Sequence, residues 1–161
     1  MKVTENGRDW DSEVEKWRRV PYGLVALTIL LDQFPRNMYR NKPEMYAYDH
    51  LALLTSMIAS QEYKKSTDVP FIYRQFLELP GMHVENLVLQ QRMVLKFEQL
   101  LENVKVDSPH SVQYFESVLA FARRHCEIIE RFKKFPHRND ILKRESTSEE
   151  KEFLKEPNSG F

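Results

Sequence analysis

The sequence predicts an all-α fold of about six or seven helices arranged as antiparallel hairpins, and three observations predict it. Apolar residues recur at helical spacing, most clearly in Val112, Phe115, Leu119, Ala122, Cys126 and Ile129. Prolines at Pro21, Pro43, Pro70 and Pro109 stand where a first helical residue would, a place that tolerates their fixed φ and missing N–H. No segment alternates like a strand between hairpin turns, and short connections favour antiparallel helical neighbours.

In chain order, the polar stretch Asp9 to Arg19 predicts a short first helix. Pro21 then opens a run from Tyr22 to Phe34 that is apolar on almost every side, so this helix is expected to be central and buried. Pro35 is expected to end it, because proline disfavours α geometry at the residue before it. Asn41 and Pro43 are expected to open a helix reaching about Gln61, with Tyr48, Leu51, Leu54, Met57 and Ile58 on one stripe. Asp68 and Pro70 start a shorter helix that Pro80-Gly81 is expected to stop, and a longer one follows from about His83 to Asn103. Ser108 and Pro109 begin the last long helix. Thr147 and Glu150 have capping-box spacing ahead of Phe153 and Leu154, which predicts a short final helix.

The 161 residues, 42% hydrophobic and 30% charged, suffice for one core, so residues 1–161 are read as one domain with an atypical N-terminus over 1–16 and a tail over 157–161. Four scattered glycines cannot build a phosphate-cradling loop or a dinucleotide fingerprint. Lys+Arg and Asp+Glu are both 24, so no global field draws the chain to nucleic acid or anionic lipid. Cys126 stands alone, which excludes internal disulfides and multi-cysteine zinc sites and fits a reducing, cytoplasmic address. No apolar run approaches a membrane span, and no cofactor or metal is expected.

Two stretches look alike: Phe34-Pro35-Arg36-Asn37 and Phe135-Pro136-His137-Arg138-Asn139 each set an arginine and an asparagine beside a helix end. A third polar cluster, Met82-His83-Val84-Glu85-Asn86, falls at the expected start of the fifth helix, and the three are expected to form one polar site. Leu30-Leu31-Asp32-Gln33-Phe34-Pro35-Arg36-Asn37, Met82-His83 with Glu85, Arg131-Phe132 with Phe135-Pro136-His137-Arg138-Asn139, and Ser146-Thr147 with Glu149-Glu150 together resemble the signature blocks of domain-of-unknown-function family nine-two-four. The resemblance runs from about Trp17 to Phe161. It implies a right-handed helical array of the tetratricopeptide-like superfamily, although the spacing of the tetratricopeptide motif itself is absent, and it brings no activity with it. The chain departs from that family's pattern in three places. The family's N-terminal stretch, rich in tryptophan and phenylalanine, is missing or replaced by Met1 to Trp10. Lys133 and Lys134 replace a glycine and an arginine, and Val84 replaces a serine. Lysine keeps the charge but loses the planar fork, so an anion site shared with relatives is expected to be weaker here.

Arg36, Asn37, His83, Glu85, Arg131, His137, Arg138 and Asn139 are the candidate residues. They are either ligand contacts for a carboxylate or phosphate, or a clasp that caps helix ends and ties loops to the core. The clasp is favoured, since buried polar groups nearly always have structural partners. His83 and Glu85 supply half of a zinc-deaminase signature, but one cysteine cannot complete it. His125, beside the apolar stripe, reads as a hydrogen-bonded interior histidine, and Cys126 as an inert core thiol. The basic run from Arg123 to Arg144 admits an acidic partner or RNA, but the acids that follow from Glu145 offset it, so nucleic acid is not expected. The functional expectation is a helical scaffold or interaction module that binds a small anionic ligand or an acidic peptide. The alternative is a small hydrolase or transferase using His83 or His137 with Arg36 and Arg138.

Overall fold

The computed structural model describes residues 4–5, 8–63 and 69–160. Its helices are α1 (Trp10–Arg18), α2 (Gly23–Met38), α3 (Asp49–Tyr63), α4 (Phe71–Met82), α5 (Leu87–Asp107), α6 (Val112–Phe132) and α7 (Ser148–Phe153). Single 3₁₀ turns lie at Pro43–Tyr46, Pro109–Ser111 and Pro136–Arg138. Ahead of α1 the two-residue strands β1 (Thr4–Glu5) and β2 (Arg8–Asp9) pair antiparallel, a ladder the sequence pattern does not predict. From α1 to α6 each helix packs on the next, and α2 also reaches α4, so the all-α hairpin architecture holds. No helix among the described residues is long and apolar enough to cross a membrane.

Three apolar clusters make the core. Leu24, Leu27 and Leu31 of α2 meet Leu51 and Ala52 of α3 and Leu77 of α4. Phe97, Leu101 and Val104 of α5 meet Phe115, Leu119 and Ala122 of α6. Ile128 and Ile129 of α6 enclose Phe135 and the α7 residue Phe153. Burying side chains of this size is worth about 1.5–3 kcal/mol each, which is what offsets the loss of chain entropy on folding.

Four boundary expectations are corrected. α2 does not stop at Phe34 but runs through Pro35 to Met38. The proline forfeits one amide in the last turn, where Arg36 donates to the Asp32 carbonyl (2.6 Å) and Asn37 to the Gln33 carbonyl (2.9 Å), so side chains sustain the helix end. The segment opened by Pro43 is a separate 3₁₀ turn before α3. The buried face of α3 is Leu51, Ala52, Thr55, Ser56 and Ala59, while Leu54 and Met57 are exposed. Small residues face inward there because α2 and α4 both press on that side. α4 continues through Pro80-Gly81: a Cβ on Gly81 would overlap the Met93 side chain of α5, so the glycine permits close helix contact rather than a stop. His83 therefore caps the C-terminus of α4, and α5 starts later, with Asn86 accepting from the Leu89 amide at 3.0 Å. The expected start of α4 at Asp68 lies outside the described residues. α2 is central but not wholly buried, since Phe34 and Met38 are 51% and 67% exposed.

The capping box of α7 forms as expected, with the Glu150 amide donating to Thr147 Oγ1 (3.1 Å) and the Thr147 amide to the Glu150 carboxylate (2.9 Å). α6 ends on Lys133 in the left-handed region (φ 61°), a conformation that favours glycine. The Lys133 side chain therefore sits in strained backbone. Lys133→Gly is expected to raise stability by about 1 kcal/mol, read as a shift in the urea midpoint at unchanged m-value.

Candidate functional site

The site is assembled where the C-terminal ends of α2 and α4 meet the loop that follows α6. Asp32, six residues before the end of α2, is a buried acid in an otherwise apolar stretch. His83 Nδ1 donates to its Oδ1 at 2.7 Å, and Arg36 lies 3.2 Å from the same oxygen. Arg36 also reaches Asp49, the first residue of α3, with its Nη2 donating to Oδ2 at 3.0 Å and its Nη1 2.9 Å from Oδ1. Burial opposes ionisation of Asp32, but His83 and Arg36, together with the Gln33 amide, outweigh it and hold the carboxyl below its ordinary range.

Glu85, between α4 and α5, forms the second centre. Its Oε1 accepts the Phe135 amide at 2.8 Å, and its two oxygens take the fork of Arg144 at 2.7 and 3.0 Å. Here too burial would raise the pKa, and the Arg144 and Phe135 hydrogen bonds reverse it to a lowered one. Arg144 also donates to the Phe135 carbonyl (3.1 Å) and to Asn139 Oδ1 (3.0 Å). Asn139 is fully buried and passes its own amide protons to Ser146 Oγ (2.9 Å) and Glu150 (3.1 Å). Asn139 is thus a clasp between the loop and α7.

Arg138 differs from its neighbours. Only 7% of it is exposed, yet its guanidinium makes no hydrogen bond or ion pair among the described residues, and its Nε is sealed from solvent without a partner. It lies over the rings of Phe135 (4.4 Å to the centroid) and Tyr46 (4.7 Å), whose other cation neighbour is Arg36. Burial lowers its pKa, while the Asp49 and Glu85 carboxylates, which it does not bond, favour its charge. A guanidinium nevertheless stays charged in protein.

Rings of three histidines line the same region. His83 lies 6.1 Å from His125, His125 5.5 Å from Phe135, and His137 5.6 Å from Phe135. His125 Nδ1 donates to the Phe121 carbonyl at 2.8 Å, so it is a hydrogen-bonded interior histidine. Burial, with neighbouring cationic and imidazole groups, brings its pKa down to about 3 and that of His137 down to about 4. The structure therefore brings Arg36, His83, Glu85, His137 and Arg138 into one region. Asn37 stays on the exposed face of α2. Arg131 pairs instead with Glu149 of α7 at 2.9 Å and stacks over Phe132, outside the group. Asp32, Tyr46, Asp49 and Arg144 were not among the candidates. The acid inside an apolar helix, one turn ahead of an arginine, was the available signal for Asp32; the others come from loop placement. Cys126 is half-buried, and burial with Glu130 and Glu127 pushes its thiol up, away from nucleophilic form. No group of three or more His, Cys, Asp or Glu is placed to hold a metal among the described residues.

The family model described as bacterial protein of unknown function (DUF924) matches residues 3–158. The chain is also similar to the solved structure of a protein of unknown function from Agrobacterium tumefaciens, at 36% identity and a TM-score of 0.71, covering 91% of this chain and 75% of that one. No curated protein matches the chain significantly.

His125 and His137 set an acid limit on the fold. Unfolded, they take up a proton near pH 6.5; folded, they refuse it until about 4 and 3. In that window the unfolded chain binds more protons, so stability falls as pH drops, and protonation of Asp32 and Glu85 deepens the loss below the ordinary carboxylate range. His125→Gln keeps a donor for the Phe121 carbonyl and removes one titration. Melting curves are expected to show a shallower decline for the variant between pH 6.5 and about 4.5, and a profile parallel to wild type would take His125 out of this account.

Proposed function

The chain belongs to the family of bacterial proteins of unknown function whose model it matches, and on that footing we propose that it is a non-catalytic helical interaction module that takes an anionic group at Arg138. The observation that carries this function is the one guanidinium of the site that is buried and bonded to no acid. Taking an uncompensated ion out of water is strongly unfavourable, so such a charge is either paired or held for a partner. A carboxylate or phosphate oxygen arriving at Arg138 supplies the acceptor that Tyr46 and Phe135 do not, through charge-assisted hydrogen bonds. The surrounding pairs Arg36 with Asp32 and Asp49, and Arg144 with Glu85, act as the rigid frame.

The same proposal includes the right-handed, tetratricopeptide-like array, supported by the packing of each helix on the next from α1 to α6. The lone, half-buried thiol supports a cytoplasmic setting. Against a nucleic-acid partner stands the pairing of the cations of α6 and the loop after it with acids: Arg131 with Glu149, Lys134 with Glu150 and Arg123 with Glu98.

A hydrolase or transferase acting on an anionic substrate has one observation in its favour, the Asp32–His83 hydrogen bond, which fixes an imidazole as a general base requires. Among the described residues, however, His83 bonds no hydroxyl or thiol that it would activate.

Arg138→Met separates a binding residue from a clasp, because it keeps bulk and removes charge. Without added anion its stability is expected to lie within about 1 kcal/mol of wild type, while the rise in Tm that acetate gives the wild type disappears. A loss of about 3–5 kcal/mol in anion-free buffer, with no anion response in the wild type, is the result expected of a purely structural ion and refutes the binding role.

A further inference from the structure

Of the three guanidinium forks at the site, two are already engaged by carboxylates. Arg36 holds Asp32 and Asp49, and Arg144 holds both oxygens of Glu85. Arg138 alone has no acid. Asp49 and Glu85 lie near enough to act on the Arg138 charge without bonding it. An incoming anion therefore meets one unengaged fork and several fixed negative charges.

We propose, building on the anion-binding role of Arg138, that the group it takes is a singly charged carboxylate and that doubly charged oxyanions are rejected because the neighbouring acids have already consumed the other two forks. A carboxylate matches the planar donors of one guanidinium and cancels its single charge. Sulfate or the phosphate dianion leaves a second negative charge near the Asp49 and Glu85 carboxylates, against the ring faces of Phe135 and Tyr46. Like charges brought together in such a setting are strongly discriminating. The aromatic walls also favour a carboxylate with an apolar body over a bare inorganic ion.

Thermal-shift titrations of the whole chain with sodium benzoate, sodium acetate and sodium sulfate, at pH 7.5 and constant ionic strength, test this. Benzoate is expected to half-saturate at a concentration about tenfold or more below that of sulfate, with acetate between them. Asp49→Asn releases part of the Arg36 fork and Glu85→Gln releases that of Arg144, so in either variant that remains folded by circular dichroism, sulfate is expected to gain about tenfold while benzoate changes less. Acetyl-Ala-Ala with a free C-terminus, compared with its amide, identifies the source of the carboxylate. Half-saturation by the free acid well below that of acetate assigns a peptide end, and parity with acetate assigns a free metabolite.

Sulfate binding as well as benzoate in the wild type, with both responses lost in Arg138→Met, overturns the selectivity and leaves the anion site standing. A wild-type Tm that none of these anions raises overturns both. Benzoate preference that neither acid-to-amide variant relaxes overturns the charge-count origin proposed here.

Discussion

Glu85 is the interaction on which the arrangement depends. From a loop between two helices it reaches a backbone amide fifty positions away and an arginine further still, through three hydrogen bonds of 3.0 Å or less. The chain after α6 has little regular structure to hold it in place: one 3₁₀ turn, a stretch of turns and a six-residue helix. What fixes it is a carboxylate that accepts from Phe135 and Arg144 together, while Asn139 ties the other side to Glu150. Because Phe135 is wholly buried beside His125, the clasp also sets the depth to which the loop enters the core. Removing one partner of such a set leaves the other charge desolvated, so the penalty is greater than the net worth of the pair.

Once the acids are committed to that task, the position of Arg138 follows. It lies next to Asn139, which the clasp holds down, and it is carried into the protein with the loop. Its neighbours there are rings. Cation–π contacts contribute modestly and offer no acceptor for five N–H donors. A structure seeking only stability would place an apolar side chain at this point, since a well-packed hydrophobe is commonly no worse than a buried ion. The retained guanidinium is thus the feature of the site that packing does not account for, unlike Asn139 or Glu85, whose every contact is internal.

The sequence showed the helices well and the site partially, for identifiable reasons. The α6 stripe was legible because every third or fourth position is apolar, and the α7 cap because Thr147 and Glu150 carry their own local geometry. Proline misled twice. At Pro35 and Pro80 the helix continues because nearby side chains and tertiary contacts compensate one missing amide, which no local rule registers. The likeness of the Phe-Pro segments pointed to Arg36 and Arg138, and these do come to the same tyrosine ring. Tyr46, Asp49 and Arg144 escaped notice because each is an ordinary residue in a turn or at a helix start. They matter through contacts across the fold: Tyr46 with Arg138, Asp49 with Arg36, and Arg144 with Glu85. Asn37 and Arg131 share the motifs but face outward, since neighbours along a helix point in different directions.

Lys133, Lys134 and Val84, where the sequence departs from the pattern it resembles, fall on the frame and not on Arg138. Replacement of an arginine by Lys134 was expected to weaken an anion site, yet the ammonium lies 3.1 Å from Glu150 and 3.4 Å from the Glu145 carbonyl, on the clasp that joins the loop to α7. Lys133 occupies the left-handed residue that ends α6 and bonds the Glu130 carbonyl, so its effect is on backbone strain. Val84 contributes its carbonyl to Gln90 Nε2 at 2.8 Å, a bond the backbone of serine would supply equally. Among the described residues the Lys133 and Lys134 ammonium groups thus run to Glu130, Glu145 and Glu150, and the Val84 carbonyl to Gln90. The changes therefore act on how firmly the loop is fastened, and they reach Arg138 only through the position that this fastening imposes on it.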